Sequence, residues 1–111
     1  MLKTKEIGDN IVVYLKGRLD VHLSTEIEKE INEIINNNPD ANLVINLDDV
    51  EYMSSSGLRV LVASMRVLKS KDKTLKLCHL NPAVKKVFEV VELMDMFDIY
   101  NTEAEAVEAL N

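Results

Sequence analysis

The sequence predicts a single α/β domain with a mixed, mostly parallel β-sheet and about four helices, in the order β-β-α-β-α-β-α-β-α. Short β-branched and aliphatic runs alternate with longer segments whose apolar residues have helical spacing. The turn residues Gly8-Asp9-Asn10 separate the first two runs, which is typical of a hairpin. Neither an internal repeat nor a linker interrupts the chain, so we assign residues 1–111 to one domain.

The first three elements are a hairpin and a helix. Residues 3–7 and the β-branched run at residues 11–15 predict two strands, the second of which ends at Lys16-Gly17. Isoleucines at helical spacing predict a helix over residues 24–37, with Thr25 and Glu28 as its capping box. Three asparagines and a proline then end this helix.

Strands and helices alternate in the rest of the chain. A mostly apolar run at residues 43–47 predicts a strand that is covered on both faces, followed by a loop at residues 48–53. Asn81-Pro82 predicts a helix start, because Asn caps free N–H groups. Proline suits the first helical position, where the backbone N–H that it lacks would have no partner within the helix. The elements expected after the loop are, in order, a helix over residues 57–70, a strand over residues 74–78, a helix from residue 82, a short strand at residues 99–100 and a terminal helix with Thr102 and Glu105 as its capping box.

The net charge of −6 argues against nonspecific nucleic-acid binding, which requires a basic surface. The charge is uneven, because residues 56–86 carry eight basic side chains and one acidic side chain. The sequence has no apolar stretch suited to a signal peptide or to a membrane span. We therefore expect a cytoplasmic protein that does not associate with nucleic acid or membrane.

Few residues have the spacing that catalysis or metal binding requires. Cys78, the only cysteine, lies in an apolar run, which predicts a buried thiol and excludes an internal disulfide. No serine has a glycine two positions before it, as a hydrolase nucleophile elbow needs. The two histidines, His22 and His79, lack metal-ligand spacing, and no glycine-rich phosphate loop is present. We expect neither an enzyme nor a bound cofactor or metal.

The segment Ser54-Ser55-Ser56-Gly57 follows a predicted strand and loop and begins a helix. One explanation is structural, because serine is a preferred N-cap residue. The other is a phosphoryl acceptor, because the free N–H groups and the dipole of a helix N-terminus stabilise negative charge. Gly57 would leave room for a partner to approach the hydroxyl group. Arg59 either reaches such a phosphate or faces solvent.

Four segments carry a family resemblance that extends over residues 9–100. They occur in the same order as in the family. Together they make this chain similar to the anti-sigma factor antagonists, small bacterial members of the STAS (sulfate transporter and anti-sigma factor antagonist) domain family. The segments are Gly17-Arg18-Leu19-Asp20, the strand at residues 43–47 with Asp48, Tyr52-Met53-Ser54-Ser55-Ser56-Gly57-Leu58, and Asn81-Pro82-Ala83-Val84 followed by Phe88.

The resemblance implies a phosphorylation switch. In this family the serine immediately before the glycine, here Ser56, is phosphorylated by an anti-sigma factor that is also an ATP-dependent serine kinase, and Ser55 is a secondary candidate. The unphosphorylated antagonist binds the anti-sigma factor and so releases the sigma factor, and a metal-dependent serine phosphatase resets the phosphorylated form. The implied partner-binding residues are Asp20, Val21, His22, Leu23, Ser54, Ser55, Ser56, Gly57 and Arg59.

Several alternatives stay open at this point. Ser54 stands where the family commonly has Asp, which leaves the control of phosphorylation open. Asp20 is either a partner contact or a turn or N-cap residue. The chain could instead be a STAS scaffold subunit of a stress-signalling complex, a transporter-associated STAS protein, or a binder of a small ligand or nucleotide. A free edge strand at residues 3–7 predicts a monomer or a weak dimer.

Overall fold

The computed structural model describes residues 2–110, and within them the predicted elements occur in the predicted order. Residues 1 and 111, where the predicted domain begins and ends, lie outside the described residues. The longest helix has 17 residues, and no helix in the described part of the chain is long and apolar enough to cross a membrane. The elements are β1 (Lys3–Ile7), β2 (Asn10–Leu19), α1 (Val21–Asn37), β3 (Leu43–Met53), α2 (Ser55–Ser70), β4 (Leu75–Cys78), α3 (Pro82–Val90), β5 (Asp98–Tyr100) and α4 (Glu103–Glu108).

The sheet is mixed and mostly parallel, as predicted. Its strand order is β1-β2-β3-β4-β5, in which β1 and β2 form an antiparallel hairpin and the later neighbours are parallel. Val13 and Ile45 face the main core with α1, α2 and α3, whereas Val12 and Val44 face a smaller core with α4. The apolar run at residues 43–47 is therefore covered on both faces, because side chains alternate along a strand.

The strands β2 and β3 are longer than the sequence predicted. We expected β2 to end at Lys16-Gly17 and residues 48–53 to form a loop, but β2 continues to Leu19 and β3 continues to Met53. Register shifts interrupt the pairing of the two strands beside Gly17, whose φ of +86° suits glycine. These bulges and the exposed acidic side chains of the extension hide the strand pattern in the sequence.

Helix α1 begins earlier than predicted and has a different cap. The cap is Asp20, whose carboxylate accepts a hydrogen bond from the backbone N–H of Leu23 at 3.0 Å. The expected capping box of Thr25 and Glu28 is wrong, because Thr25 lies inside the helix and its hydroxyl donates to the carbonyl of Val21 at 3.1 Å. A real cap five residues upstream of an apparent one is easily missed when no acidic residue marks the first turn.

The predicted caps of α3 and α4 are confirmed. The side-chain oxygen of Asn81 accepts from the N–H of Val84 at 2.9 Å, and its amide donates to the carbonyl of Val50 at 2.6 Å. The Thr102 hydroxyl accepts from the N–H of Glu105 at 3.1 Å and so caps α4. The Glu105 carboxylate accepts from this hydroxyl at 3.0 Å and not from the Thr102 N–H, so the predicted capping box is only half formed. Asn81 thus anchors the start of α3 to β3 as well as capping the helix.

Cys78 is a buried thiol, as the sequence predicted, with 0% of its surface exposed. Burial raises its pKa from 9.0 to about 12, and the carboxylates of Glu103 and Asp48 raise it further. Burial also raises the pKa of Tyr14 from 10.0 to about 12, with a contribution from its hydrogen bond to Glu103. Both groups therefore stay neutral in the folded protein at alkaline pH values at which they would ionise in the unfolded chain.

The raised pKa values of Cys78 and Tyr14 predict that the protein loses stability at alkaline pH. Above pH 9.0 the unfolded chain releases the Cys78 proton that the folded chain keeps until about pH 12, so the free energy of unfolding falls as the pH rises. We expect the Cys78→Ala variant to lack this part of the loss, which amounts to at most about 1.4 kcal/mol per pH unit. Urea unfolding from pH 7 to pH 11 measures it.

The Tyr14→Phe variant is the matched control. It should differ from the wild type in its pH dependence only above about pH 10, the ordinary pKa of tyrosine. A constant difference between the wild type and Cys78→Ala at every pH would contradict the prediction.

Candidate functional site

The junction between β3 and α2 is tied to the end of β2. The backbone N–H of Ser54 donates to the carbonyl of Leu19 at 3.0 Å, and the Ser54 hydroxyl donates to the same oxygen at 2.6 Å. The hydroxyl oxygen also accepts from the N–H of Gly57 at 3.4 Å, which caps α2. Ser54 is therefore a structural N-cap. An aspartate at this position could accept from Gly57 but could not donate to Leu19.

Gly57 is buried where the first turn of α2 packs against Leu19, at the end of β2. A Cβ atom at this position would lie 3.0 Å from the Leu19 Cβ, 3.0 Å from the Met53 Cγ and 3.2 Å from the Leu19 carbonyl oxygen. The missing side chain thus leaves room for residues of the same chain. The expectation that this room serves an approaching partner is wrong, because Leu19 and Met53 already fill it.

Ser55 and Ser56 occupy the first turn of α2 and have free hydroxyl groups. Ser55 is exposed and Ser56 is half-buried, and neither hydroxyl has a hydrogen-bond partner within residues 2–110. The first turn of α2 contains no acidic side chain that would offset the positive end of the helix dipole. Both hydroxyl groups are therefore available for modification at a terminus that favours negative charge.

A cleft of about 160 Å³ separates the first turns of α1 and α2. Arg59 is exposed there and has no ion-pair partner in the part of the chain that the structure describes. Val21, at the mouth of the cleft, has 63% of its surface exposed. The lining residues are Val21, Ser24, Thr25, Glu28, Ser56, Arg59 and Val60.

The structure brings together only some of the predicted site residues. Val21, Ser56 and Arg59 share the cleft, and Ser55 lies exposed beside it. His22 is exposed but does not line the cleft, and the half-buried Leu23 packs against the main core. Asp20, Ser54 and Gly57 serve the chain's own caps and packing.

Two features of this surface are not predicted by the sequence. Arg18 and Tyr52 are paired across β2 and β3, and the guanidinium lies 4.5 Å from the centre of the ring, in a cation–π contact. Tyr52 is 41% exposed. The pairing depends on the register of residues that we expected to form a loop. Ser24 was also missed, because the predicted start of α1 at residue 24 hid its position on the inner face of the helix.

The site consists of hydroxyl groups, the Arg59 guanidinium, the Glu28 carboxylate and the N-termini of two helices, of which α1 is already capped by the Asp20 carboxylate. Within residues 2–110, no cluster of three or more histidine, cysteine, aspartate or glutamate side chains could hold a metal ion. Chemically, the arrangement can accept an anionic group and can present a small, partly apolar surface to another protein.

Comparisons with known proteins identify similar sequences and folds. The family model described as STAS domain matches residues 1–106. The chain is 28% identical over 100 residues to the anti-sigma F factor antagonist of Paenibacillus polymyxa, covering 90% of this chain and 86% of that protein. It is 31% identical over 97 residues to the anti-sigma-B factor antagonist of Listeria monocytogenes, covering 87% of this chain and 84% of that protein.

Two solved structures named SpoIIAA, one of them described as an anti-sigma factor antagonist, have the same fold. The unphosphorylated form matches with a TM-score of 0.82 at 25% identity, covering 98% of this chain and 95% of that one. The phosphorylated form of the Bacillus protein matches with a TM-score of 0.74 at 24% identity, covering 100% of both chains.

The packing at Gly57 predicts a strong effect of one added methyl group. We expect Gly57→Ala to lower the free energy of unfolding by about 2 kcal/mol, because α2 must move away from Leu19 and Met53. Chemical denaturation measures the loss. Ser55→Ala, on the exposed side of the same turn, is the control and should change stability by less than about 0.5 kcal/mol. Wild-type stability in Gly57→Ala would show that the junction tolerates the displacement.

Proposed function

The chain belongs to the STAS domain family, and we propose that it is an anti-sigma factor antagonist whose partner binding is switched by phosphorylation of Ser56. In its unphosphorylated form it binds an anti-sigma factor, which then releases its sigma factor for transcription. The observation that carries this proposal is the free, half-buried Ser56 hydroxyl at the N-terminus of α2. The relatives named anti-sigma factor antagonists support it.

In this proposal the chain is the substrate of phosphorylation and catalyses nothing. The anti-sigma factor acts as the serine kinase. The Ser56 Oγ attacks the γ-phosphorus of ATP, an O–P bond forms, the bond to the ADP oxygen breaks, and the hydroxyl proton passes to a base of the kinase. A metal-dependent serine phosphatase later hydrolyses the ester. SpoIIAA, which has this fold, is known in unphosphorylated and phosphorylated forms, in keeping with such a cycle.

Ser56 is a better acceptor candidate than its neighbours for structural reasons. The Ser54 hydroxyl is engaged with Leu19 and Gly57, so its modification would remove the cap of α2. Ser55 has a free hydroxyl but does not line the cleft. A phosphate on Ser56 would therefore change the surface beside Val21 and Arg59 and leave the helix cap intact.

The proposed switch is local electrostatics. Phosphorylation adds roughly −1.5 to −2 charge and three strong acceptor oxygens. The net charge of −6 would move to about −8. The position of this charge matters more than the total, because a hydroxyl packed in an interface becomes a bulky, solvated anion.

The proposed partner surface divides into contacting and supporting residues. Val21, His22, Ser55, Ser56 and Arg59 would contact the anti-sigma factor, because they are exposed or line the cleft. The supporting residues are Asp20, Leu23, Ser54 and Gly57, which hold the two helix starts in place.

The proposal extends to the setting of the protein. It would act in the cytoplasm, where sigma factors work, as a monomer or a weak dimer. The exposed edge strand β1 carries the charged side chains Lys3, Lys5 and Glu6, and charged edges disfavour pairing with a second sheet.

Phosphorylation of Ser56 is directly testable. After incubation with the cognate kinase and ATP, mass spectrometry should place one phosphate on Ser56, and Ser56→Ala should stay unmodified while Ser55→Ala is modified normally. Phosphate confined to Ser55 in the wild type would show that the acceptor is assigned to the wrong residue. An active kinase that modifies no serine would refute the switch.

The effect of charge on binding provides a second test. We expect Ser56→Asp to bind the anti-sigma factor about a hundredfold more weakly than the wild type, equivalent to about 3 kcal/mol, and Ser56→Ala to bind within a fewfold. Calorimetry or surface plasmon resonance measures both affinities. Ser55→Asp is the matched control, since it adds the same charge outside the cleft and should weaken binding less. Binding that ignores all three changes would favour a scaffold role.

A further inference from the structure

One buried hydroxyl group has no partner in the structure. Ser24 lies in the first turns of α1 with 3% of its surface exposed, and its Oγ makes no hydrogen bond within residues 2–110. The next residue, Thr25, satisfies its own hydroxyl with the carbonyl of Val21. A buried polar group without a partner is unfavourable, so a native example needs an explanation.

The position of Ser24 suggests what the hydroxyl is for. Ser24 lines the cleft between α1 and α2, together with Ser56 and Arg59. The donors around this cleft are thus a buried hydroxyl and an unpaired guanidinium. The first turn of α2 lacks an acidic side chain and its cap is Ser54, so its dipole favours an anion, whereas the N-terminus of α1 already holds the Asp20 carboxylate.

We propose that the phosphoryl group of phosphorylated Ser56 docks in this cleft of its own chain, where the Ser24 hydroxyl donates a hydrogen bond to it and Arg59 neutralises its charge. This inference rests on the proposed function, because Ser56 must first carry a phosphate. Arginine suits the role, since its guanidinium offers paired donors to phosphate oxygens. Docking would withdraw Arg59 from the partner surface, and the phosphate would add negative charge to that surface.

Glu28 opposes the docked phosphate. Its half-buried carboxylate lines the same cleft and repels an anion. Thr25 adds no donor, because its hydroxyl is already bonded to Val21. Docking therefore depends on Arg59 and Ser24 together, and Glu28→Gln should strengthen it.

The first test measures the phosphate itself. Phosphoserine is installed at position 56 during synthesis of the full chain, so that no kinase is needed, and its pKa is followed by ³¹P NMR. We expect a pKa at least about half a unit below the value near 6 of free phosphoserine. Arg59→Gln should move the pKa back towards the free value, whereas Arg66→Gln, an exposed change on the same helix, should leave it unaltered.

The second test measures the change in Tm caused by Ser24→Ala, which should differ in sign between the unphosphorylated and phosphorylated forms. Without phosphate, Ser24→Ala removes an unsatisfied hydroxyl, so Tm should stay the same or rise. With phosphoserine at position 56, the same substitution should lower Tm by about 4 °C. Ser64→Ala is the matched control, because the buried Ser64 hydroxyl already donates to Val60 at 2.8 Å and its loss should lower Tm equally in both forms.

The outcomes separate this inference from the proposed function. An equal fall in Tm for Ser24→Ala in both forms, or a phosphate pKa equal to that of free phosphoserine, would overturn the docking. Both measurements use an installed phosphoserine, so they stand even if the kinase assay fails. A kinase that leaves Ser56 unmodified would contradict the proposed function alone.

Discussion

The arrangement of the site depends on one carbonyl oxygen. The Leu19 carbonyl, at the end of β2, accepts hydrogen bonds from both the N–H and the hydroxyl of Ser54. This pair fixes the first residue before α2 against the end of the neighbouring strand, and Gly57 permits the close approach because it has no Cβ. Since α1 also begins directly after β2, the same point sets the distance between the two helix starts. The cleft that holds Ser56 follows from that distance.

Adjacent serines have different tasks because the junction gives each a different environment. Ser54 is committed to the cap, Ser55 faces solvent, and Ser56 lines the cleft beside Arg59. A phosphorylation switch at Ser56 would therefore need no refolding. The cap and the Gly57 contact hold α2 in place, and the added charge changes only what the surface offers to a partner. The same hydrogen bonds hold the junction in place and would keep such a switch local.

Much of the fold was predictable from local patterns. The hairpin turn, the Asn81 cap and the apolar run of β3 are each recognisable from neighbouring residues, because turn and cap chemistry acts over three or four positions. The sequence-based predictions were wrong where contacts between distant residues determine the local structure. The extension of β3 looks like a loop until its pairing with β2 is known, and Asp20 is not distinguishable as the α1 cap without backbone geometry.

The sequence by itself determined the family, the order of elements and the position of the serine motif at a helix start, because these depend on residue type and spacing along the chain. Only the tertiary structure decided the roles within the motif. It showed that Gly57 accommodates Leu19 and Met53, that Ser54 is engaged with Leu19, and that Ser24 and Ser56 line the same cleft. The contacts of Leu19 with Ser54 and Gly57, and the cleft shared by Ser24 and Ser56, join residues more than 30 positions apart. Close packing between distant segments leaves no local signal in the sequence.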